Sequence, residues 1–349
     1  MNQVKIALIN DTHFGARGDS QLFLDYFMKF FDDVFFPYIK ENDIKTVIHA
    51  GDLMDSRKFV NFNILNQVRT RFINKLRDEG VELHCILGNH DVYYRNTNTI
   101  NSIRELFGDD LILYEEPAVV NFDGLDIALL PWVNKENTTE AENFIKTAAA
   151  PILIGHLELY GYDVIRGVKY NEGMDAKLFS RYEQVFTGHF HCRQEHGNIY
   201  YLGTQYQITF SDLHETKGFH VYDTDTREIE FIENPYKMFH SLLYNDKDGP
   251  VEVNKLDYLK DSYVKLFVEH KEHPYSFDRY MDKLYDAGVA KITVVEELNN
   301  SDWTKEEIVD LGQDTVTLIN NEIDIMDEVK DKEKMKRLVK DLYMESLSL

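Results

Sequence analysis

The sequence predicts an α/β fold organised around a largely parallel sheet. Apolar runs at residues 4–9, 46–50 and 82–87 are predicted to be strands, and each ends in a polar loop. Residues 21–40 carry apolar side chains at helical spacing, and residues 60–79 are predicted to form a second helix. Alternating strands and helices are typical of right-handed βαβ units, whose strands lie parallel in one sheet. Ligands bind beyond the carboxyl ends of such strands, where the polar loops lie.

The strands come closer together after residue 110, which predicts a sheet of mixed direction in this part of the chain. The predicted strands here are residues 111–113, 118–122, 125–130, 151–155 and 184–188. A helix near residues 140–149 interrupts this series. Three later runs are predicted to form the closing edge of a second sheet: residues 200–202, 218–222 and 229–232.

The pattern changes after residue 235, so we expect three regions along the chain. Residues 1–235 are predicted to form the main domain. Residues 236–298, with a helix at 277–287 and a strand at 291–295, are predicted to form a small α+β domain. The acidic remainder, residues 299–349, is predicted to be helical.

Composition and charge restrict the class of function. The two cysteines, Cys85 and Cys192, form neither a disulfide framework nor a zinc-ribbon pattern. No apolar run approaches the roughly 18 residues that a membrane-spanning helix needs, so we expect a cytoplasmic protein without a membrane partner. The net charge of -23 opposes unaided binding to DNA. A DNA substrate therefore requires divalent cations at the site or basic surface supplied by a partner.

Five short polar motifs follow predicted strands and indicate a metal centre. They are Asp11-x-His13, Gly51-Asp52-x-x-Asp55, Gly88-Asn89-His90-Asp91, Gly155-His156 and Gly188-His189-x-His191. Each motif alone is common by chance, but five in order at strand ends are not. The set supplies enough donors for two divalent cations, with Asp52 as the natural bridge between them. Mixed imidazole, carboxylate and amide donors suit Mn²⁺ best, and Mg²⁺, Fe or Zn²⁺ is possible.

These motifs resemble those of the calcineurin-like metallophosphoesterases over residues 4–222. The resemblance implies an α/β/β/α sandwich in which two metal ions are bound. It assigns one ion to the residues Asp11, His13, Asp52 and His191, and the other to Asp52, Asn89, His156 and His189. It also implies that His90 contacts the scissile phosphate or protonates the leaving oxygen, and that Asp91 orients His90.

Within this superfamily the chain resembles the SbcD-type nuclease subunits of SMC-associated DNA repair exonucleases, especially those of T-even-like bacteriophages. The segments that carry this resemblance are Asp52-Leu-Met-Asp55-Ser-Arg-Lys, the spacing from Gly188-His-Phe-His191 to Tyr201-Leu-Gly203-Thr204, and Lys217-Gly-Phe219. It implies a manganese-dependent exonuclease on duplex DNA and endonuclease on single strands. If the chain is phage-encoded, it would act in the host cytoplasm.

The same resemblance implies two protein partners. A second copy of the chain would dimerise through helices near residues 60–79 and 96–107, and residues 236–298 would form a capping domain that helps to hold DNA. The C-terminal helices would dock on a coiled-coil, SMC-like ATPase. The sequence contains no Gly-x-x-x-x-Gly-Lys-Ser/Thr loop, so any ATP dependence must come from that partner.

Other features of the sequence have two interpretations each. Basic residues beside the motifs could form a rim that contacts DNA, or could be solvated loop charges: Arg17, Arg57, Lys58, Arg95 and Arg193. Tyr93 and Tyr94 could stack on bases or only fill space.

The alternative function is a metallophosphatase or phosphodiesterase acting on nucleotides or other small phosphate esters, which would share every metal ligand. A scaffold without activity is a further alternative.

Overall fold

The computed structural model contains two compact units. The first comprises Met1–Tyr206 and Glu215–Tyr236, and the second comprises Gln207–His214 and Lys237–Leu349. The residues that the structure describes are 5–249, 251, 255–296, 323, 331, 332, 334–336, 338 and 339.

Strands of the first unit form two large sheets and a small hairpin. Numbered in chain order, they are β1 (Lys5–Ile9), β2 (Thr46–His49), β3 (Glu82–Ile86), β4 (Ile112–Tyr114), β5 (Ala118–Phe122), β6 (Leu125–Leu130), β7 (Ile152–His156), β8 (Asp163–Ile165), β9 (Val168–Lys169), β10 (Gln184–Gly188), β11 (Gln194–His196), β12 (Ile199–Tyr201), β13 (Gly218–Asp223) and β14 (Ile229–Glu233). The first sheet has the order β14-β13-β1-β2-β3-β4, and the second has the order β11-β12-β10-β7-β6-β5. Strands β1 to β4 are parallel, as are β6, β7, β10 and β12. The predicted α/β class with parallel-rich sheets is confirmed.

The prediction that residues 218–222 and 229–232 close the second sheet is wrong. Strand β13 pairs antiparallel with β1, and β14 pairs antiparallel with β13, so both belong to the first sheet. All six residues of β13 are buried, which fits a strand beside the central β1. The apolar pattern reveals this burial but does not reveal which of two apolar sheets the strand joins.

The helices of the first unit cover the outer faces of the sheets. They are Ala16–Asp19, Gln21–Phe30, Phe36–Glu41, Phe62–Val68, Asn74–Asp78, Ser102–Phe107 and Thr138–Thr147, with a 3₁₀ turn at Ala176–Phe179. Single π-helical segments at Phe31–Phe35 and Arg69–Ile73 join neighbouring helices without a break. The predicted helices at residues 21–40 and 60–79 are therefore each one continuous rod.

Apolar side chains hold the layers of the first unit together. Residues of both sheets share one core between them: Ile6, Leu8, Ile48, Ile86, Ile127, Leu129, Ile152, Ile154 and Phe186. On the outer face of the second sheet, Ala141 and Ile145 pack in a separate core. On the outer face of the first sheet, the ring of Phe35 lies 5.0 Å from that of Phe219 in β13. Helices thus flank a pair of stacked sheets, and the strand ends lie at one edge of both sheets.

The second unit contains a three-stranded parallel sheet with a helix. Its elements are β15 (Phe239–Asn245), β16 (Tyr263–His270), β17 (Lys291–Val295), the helix Pro274–Asp286 and 3₁₀ turns at Phe210–Asp212 and Asp257–Leu259. The strand order is β15-β16-β17. The helix packs on the sheet through Phe277 and Leu284, which share a core with Tyr244 and Leu266.

The predicted C-terminal helical region falls largely outside the described residues. Among its apolar residues, Leu342 and Tyr343 lie outside them, whereas Met335 and Leu338 are 39% and 53% exposed. Among the helices that the structure describes, none has the length and apolarity to span a membrane.

Candidate metal centre

The loops that follow five strands meet at one edge of the two sheets. Asp11, Asp52 and Asn89 follow strands of the first sheet, whereas His156 ends β7 and His189 follows β10 in the second. The loops are in direct contact, because the backbone N–H of His189 donates to both carboxylate oxygens of Asp11 at 2.9 and 3.2 Å. The structure therefore brings together all five motifs that the sequence predicted to converge.

Asp11, His13 and His191 form one group of candidate ligands. The Nε2 atom of His13 lies 3.1 Å from Nε2 of His191, and 3.8 Å from both Asp11 Oδ1 and Asp52 Oδ2. The other ring nitrogen of His13, Nδ1, lies 3.2 Å from a carboxylate oxygen of Asp55. A carboxylate beside Nδ1 favours the proton on that nitrogen, which leaves the Nε2 lone pair facing the group.

Asp52, His156 and His189 form a second group, which Asn89 joins. Nε2 of His156 lies 3.4 Å from Asp52 Oδ2 and 3.0 Å from Asn89 Oδ1, and Nδ1 of His189 lies 2.8 Å from the same amide oxygen. Nδ1 of His156 lies 2.8 Å from the carbonyl oxygen of Ala50. Because a carbonyl only accepts, Nδ1 of His156 carries a proton and its Nε2 is free to coordinate an ion.

The amide of Asn89 has two possible hydrogen-bonding orientations. In the first, its oxygen faces the two imidazole nitrogens and lies 3.2 Å from Asp52 Oδ2. In the rotated form its nitrogen donates to these atoms, and its oxygen accepts from Arg57 Nη2 at 3.1 Å. Hydrogen bonding alone favours the rotated form, whereas a cation between the acceptor atoms favours the first. The donor set thus fits a bound metal ion.

Charges in the cluster shift the pKa values of its members in opposite directions. Burial alone would raise the pKa of Asp52, but His156 and His90 hold it well below its ordinary value. Burial alone would lower the pKa of His156, but the Asp52 carboxylate and its hydrogen bond raise it to about 9. The buried carboxylates therefore favour positive charge beside them, which a bound cation would supply.

His90 lies at the border of both groups. Its backbone N–H donates to Asp52 Oδ1 at 2.7 Å, and its ring centre lies 4.8 Å from that of His13. The Nδ1 atom lies 2.6 Å from the main-chain carbonyl oxygen of Asp55, so Nδ1 donates and Nε2 is the nitrogen left for other contacts. Burial lowers the pKa of the His90 imidazole.

Asp91 is fully buried and binds the loops of the site. Its carboxylate accepts hydrogen bonds from the backbone N–H groups of Gly88 and Asp52, both at 2.8 Å, and of Leu53 at 3.0 Å. A fourth N–H, that of Met54, lies 3.4 Å away. Asp91 therefore fixes the loop that carries Asp52 against the loop that carries Asn89.

This geometry corrects the expectation that Asp91 orients His90. The group at hydrogen-bonding distance from His90 Nδ1 is the Asp55 carbonyl, whereas the Asp91 carboxylate points to backbone donors. The family resemblance implied the pairing, but the two neighbouring side chains on this turn point in different directions. Asp55 instead contacts both imidazoles: its main-chain carbonyl faces His90, and its carboxylate faces His13.

Four candidate ligands occupy left-handed backbone conformations. Their φ angles are 46° at Asp11, 42° at His13, 59° at Asp52 and 88° at His189. Residues other than glycine adopt this region in only a few per cent of cases, although aspartate and histidine do so more often than most. Strained backbone of this kind occurs where the surrounding structure fixes functional groups, which matches the convergence of these side chains.

Two motif glycines allow the loops to approach closely. A Cβ atom on Gly51 would lie 2.5 Å from Nδ1 of His156, and one on Gly88 would overlap the Asp52 carboxylate. Gly51 also has a φ of 90°, which other residues rarely adopt. The glycines are thus required by the packing of the site, not by turn formation alone.

Two further residues at the site were not predicted from the sequence. Glu158 Oε1 lies 3.1 Å from Nε2 of His189. Burial alone would raise the pKa of the Glu158 carboxyl, but hydrogen bonding to His189 lowers it overall. The ring of Trp132 lies 5.5 Å from that of His189 and 6.0 Å from that of His156. Glu158 follows β7 and Trp132 follows β6 in the second sheet. Their positions just beyond strand ends are the sequence feature that could have identified them as site residues.

One of the predicted basic residues lies at the centre. Arg57 reaches Asn89 in the rotated form of the amide, and burial together with the charge of Arg95 lowers the pKa of its guanidinium. The two positive charges repel each other, and a bound anion would relieve this repulsion.

The other three basic residues pack on aromatic rings. The charged groups of Arg17, Lys58 and Arg193 lie 5.8, 5.7 and 3.9 Å from the ring centres of Phe23, Tyr93 and Phe231, respectively. These contacts do not place the three side chains among the metal-ligand groups.

Comparisons with known proteins agree with this site. Residues 4–193 match the family described as calcineurin-like phosphoesterase. Exonuclease subunit 1 of Enterobacteria phage T4 is 30% identical over 353 residues, which cover 98% of this chain and 99% of the phage protein.

Two solved structures show lower similarity. An archaeal phosphodiesterase is 14% identical, with a TM-score of 0.32, over 66% of this chain and 100% of that chain. A protein of unknown function from Aquifex aeolicus is 19% identical, with a TM-score of 0.28, over 53% of this chain and 89% of that chain. Because the family match covers more than half of the sequence and the phage relative aligns over nearly all of it, this chain belongs to the calcineurin-like phosphoesterases, which are metal-dependent phosphodiester hydrolases.

Proposed function

We propose that this protein is a manganese-dependent DNA nuclease and a subunit of an ATPase–nuclease complex in DNA recombination or repair. The observation that carries the proposal is the convergence of seven candidate ligands around Asp52. A second observation is the 30% identity with exonuclease subunit 1 of phage T4 across both chains.

In this proposal Asp52 would be shared by two divalent ions. Asp11, His13, Asp52 and His191 would hold one ion, and Asp52, Asn89, His156 and His189 would hold the other. When bound, the ions supply Lewis acidity that activates the attacking water and neutralises charge on the phosphate. Mn²⁺ suits the mixture of imidazole, carboxylate and amide donors, and Mg²⁺ is the alternative.

Side chains around the ions have separate roles in the reaction. In its imidazolium form His90, held at Nδ1 by the Asp55 carbonyl, directs the Nε2–H to the scissile phosphate, donates that proton to the departing deoxyribose oxygen and is left as the neutral imidazole. Asp91 keeps the Asp52 loop in place through backbone N–H groups. Arg57 and Arg95, whose positive charges influence each other, would attract a phosphate of the DNA strand.

Cleavage assays distinguish a nuclease from a phosphatase acting on small esters. With Mn²⁺, we expect the protein to degrade linear duplex DNA and to cleave single strands, with much slower hydrolysis of p-nitrophenyl phosphate. Chelation with EDTA should abolish both reactions, and added Mn²⁺ should restore them. Rapid hydrolysis of p-nitrophenyl phosphate or nucleotides, without cleavage of DNA, would support the alternative function.

The first partner that we propose is a second copy of this chain, with which it would form a homodimer. The side chains of Phe59 and Phe62, before and at the start of one helix, are 82% and 81% exposed. Ile100, which precedes the helix Ser102–Phe107, is 46% exposed. Phenylalanine is rarely left this exposed in a monomer, so an apolar surface at the two predicted dimer helices supports a second copy as the partner.

The double substitution Phe59→Glu and Phe62→Glu should convert the dimer to a monomer. Two charges in the apolar surface would have to be desolvated without partners if the dimer formed. Light scattering after size exclusion measures the mass, and Tyr160→Glu, which changes a 61% exposed aromatic residue elsewhere, is the control. An unaltered mass for the double variant, or a monomeric parent protein, contradicts this interface.

The second proposed partner is an SMC-like coiled-coil ATPase. Exposed Met335 and Leu338 in the C-terminal region offer apolar contacts to a partner helix. The net charge of -23 also favours a partner that supplies basic surface for DNA, in addition to divalent cations at the site. We propose residues 1–235 as the nuclease domain, 236–298 as the capping domain and 299–349 as the region that binds the ATPase.

A further inference from the structure

We infer that Glu158 is a positioning residue that determines which nitrogen of His189 faces the second metal ion. This role rests on the proposed two-ion centre. Glu158 lies two residues beyond the end of β7, and its carboxylate contacts the imidazole on the side opposite Asn89. Glu158 immediately precedes residues 159–174, a segment that we call the arm and that contains the β8–β9 hairpin.

The contacts of His189 define the role of Glu158. A neutral imidazole has one N–H and one lone pair, and their positions depend on the neighbouring groups. Nε2 lies 3.1 Å from the Glu158 carboxylate, which only accepts, and Nδ1 lies 2.8 Å from Asn89 Oδ1. Glu158 therefore keeps the proton on Nε2 and directs the Nδ1 lone pair towards the side occupied by Asn89.

The main chain of His189 is held independently of Glu158. Its N–H donates to both oxygens of Asp11, and its φ of 88° is fixed by the surrounding loop. What remains free is rotation of the side chain and the choice of tautomer. Other ligands have their own partners for this purpose, because His13 faces Asp55 and His156 faces the Ala50 carbonyl.

Contacts with the arm in turn fix the carboxylate of Glu158. The main-chain carbonyl oxygen of Glu158 accepts a hydrogen bond from the N–H of Met174 at 2.8 Å. The N–H of Tyr160 donates to the carbonyl oxygen of Met174 at 3.0 Å, and these two bonds close the base of the arm. The phenol of Tyr170 lies near the Glu158 carboxylate and helps to lower the pKa of that carboxyl. The backbone of Tyr170 pairs with Tyr162 in the same arm. The arm therefore connects to the second metal position through one carboxylate.

Calorimetric titration of the metal-free protein with Mn²⁺ tests this role without using activity. We expect the parent protein to bind two ions, and Glu158→Ala to weaken one of them about 10- to 100-fold while the other keeps its affinity. Glu158→Gln should give an intermediate loss, because its amide oxygen still accepts the Nε2 proton but has no charge. Tyr170→Phe should weaken the same ion by a smaller factor.

The matched control is Glu172→Gln, which removes an exposed carboxylate of the same arm. It should bind both ions with the affinities of the parent protein. Circular dichroism of each metal-free variant checks folding, and if Glu158→Ala does not fold, Glu158→Gln decides the question.

Three outcomes separate failure of this inference from failure of the proposed centre. If the parent protein binds two ions and both Glu158 variants bind them with unchanged affinity, the positioning role is wrong. Equal weakening of both ions in the folded variants also contradicts it, because a loss confined to one ion is the expected signature. If the parent protein binds fewer than two ions, the proposed two-ion centre fails and this inference fails with it.

Discussion

Asp52→Asn is expected to remove both metal ions and to abolish cleavage. Asp52 Oδ2 lies 3.4 Å from Nε2 of His156 and 3.8 Å from Nε2 of His13, so one carboxylate faces both groups of candidate ligands. An amide has the same shape but no charge, and it can turn a donor N–H₂ towards the ions. Loss of the ions would remove several kcal/mol of transition-state stabilisation, on the order of 10³-fold or more in turnover.

Elemental analysis after dialysis against Mn²⁺ measures the number of ions bound to this variant. Asp123→Asn is a close control, because Asp123 is an exposed turn residue with a φ of 48°, near the 59° of Asp52. The control makes the same chemical change in the same backbone region and should retain both ions. Two Mn²⁺ per chain in Asp52→Asn would disprove the shared role of this carboxylate.

The position of the site could be predicted from sequence because it depends on topology. Parallel strands end at the same edge of a sheet, so polar residues that follow successive apolar runs meet whatever the details of the loops. Asp11, Asp52 and Asn89 converge for this reason. His156 and His189 required one further step, because β7 and β10 had to stack on the first sheet with their ends at the same edge.

Contacts that orient the ligands could not be predicted, since they depend on the direction of individual side chains. The proton acceptors beside His13 and His156 are a carboxylate and a main-chain carbonyl, and a carbonyl has no sequence signature. Glu158 resembles any loop glutamate in the sequence. Asp91 was placed at the site correctly, but its partners are backbone N–H groups of another loop rather than the neighbouring imidazole.

The prediction of which sheet contains β13 and β14 was wrong for a related reason. The apolar residues of Gly218–Asp223 specify burial, but both sheets offer an apolar face. The strand joined β1 because its antiparallel register places His220 opposite Leu8 and Asp223 opposite Lys5. Long-range pairing of this kind is not encoded in local periodicity.

His90→Ala is expected to retain both ions and lose most of the turnover. The contact of His90 with Asp52 uses the backbone N–H, at 2.7 Å, and this survives removal of the side chain. The imidazole itself is held at Nδ1 by the Asp55 carbonyl, so its Nε2 is available to the leaving oxygen. Loss of a general acid reduces turnover by about 10²- to 10⁴-fold, with a smaller effect on the affinity for DNA.

The leaving group provides the sharper test of this role. A DNA analogue with a 3′-bridging phosphorothiolate expels a thiolate, which needs no proton, so it should be cleaved by His90→Ala nearly as fast as by the parent protein. His196→Ala, which removes an exposed imidazole of the same unit, should retain normal activity on both substrates. Loss of the ions from His90→Ala would make His90 a ligand, in agreement with its place in the group of His13 and Asp52. Retained ions with an equal defect on both substrates would assign His90 to binding the phosphate instead of protonating the leaving oxygen.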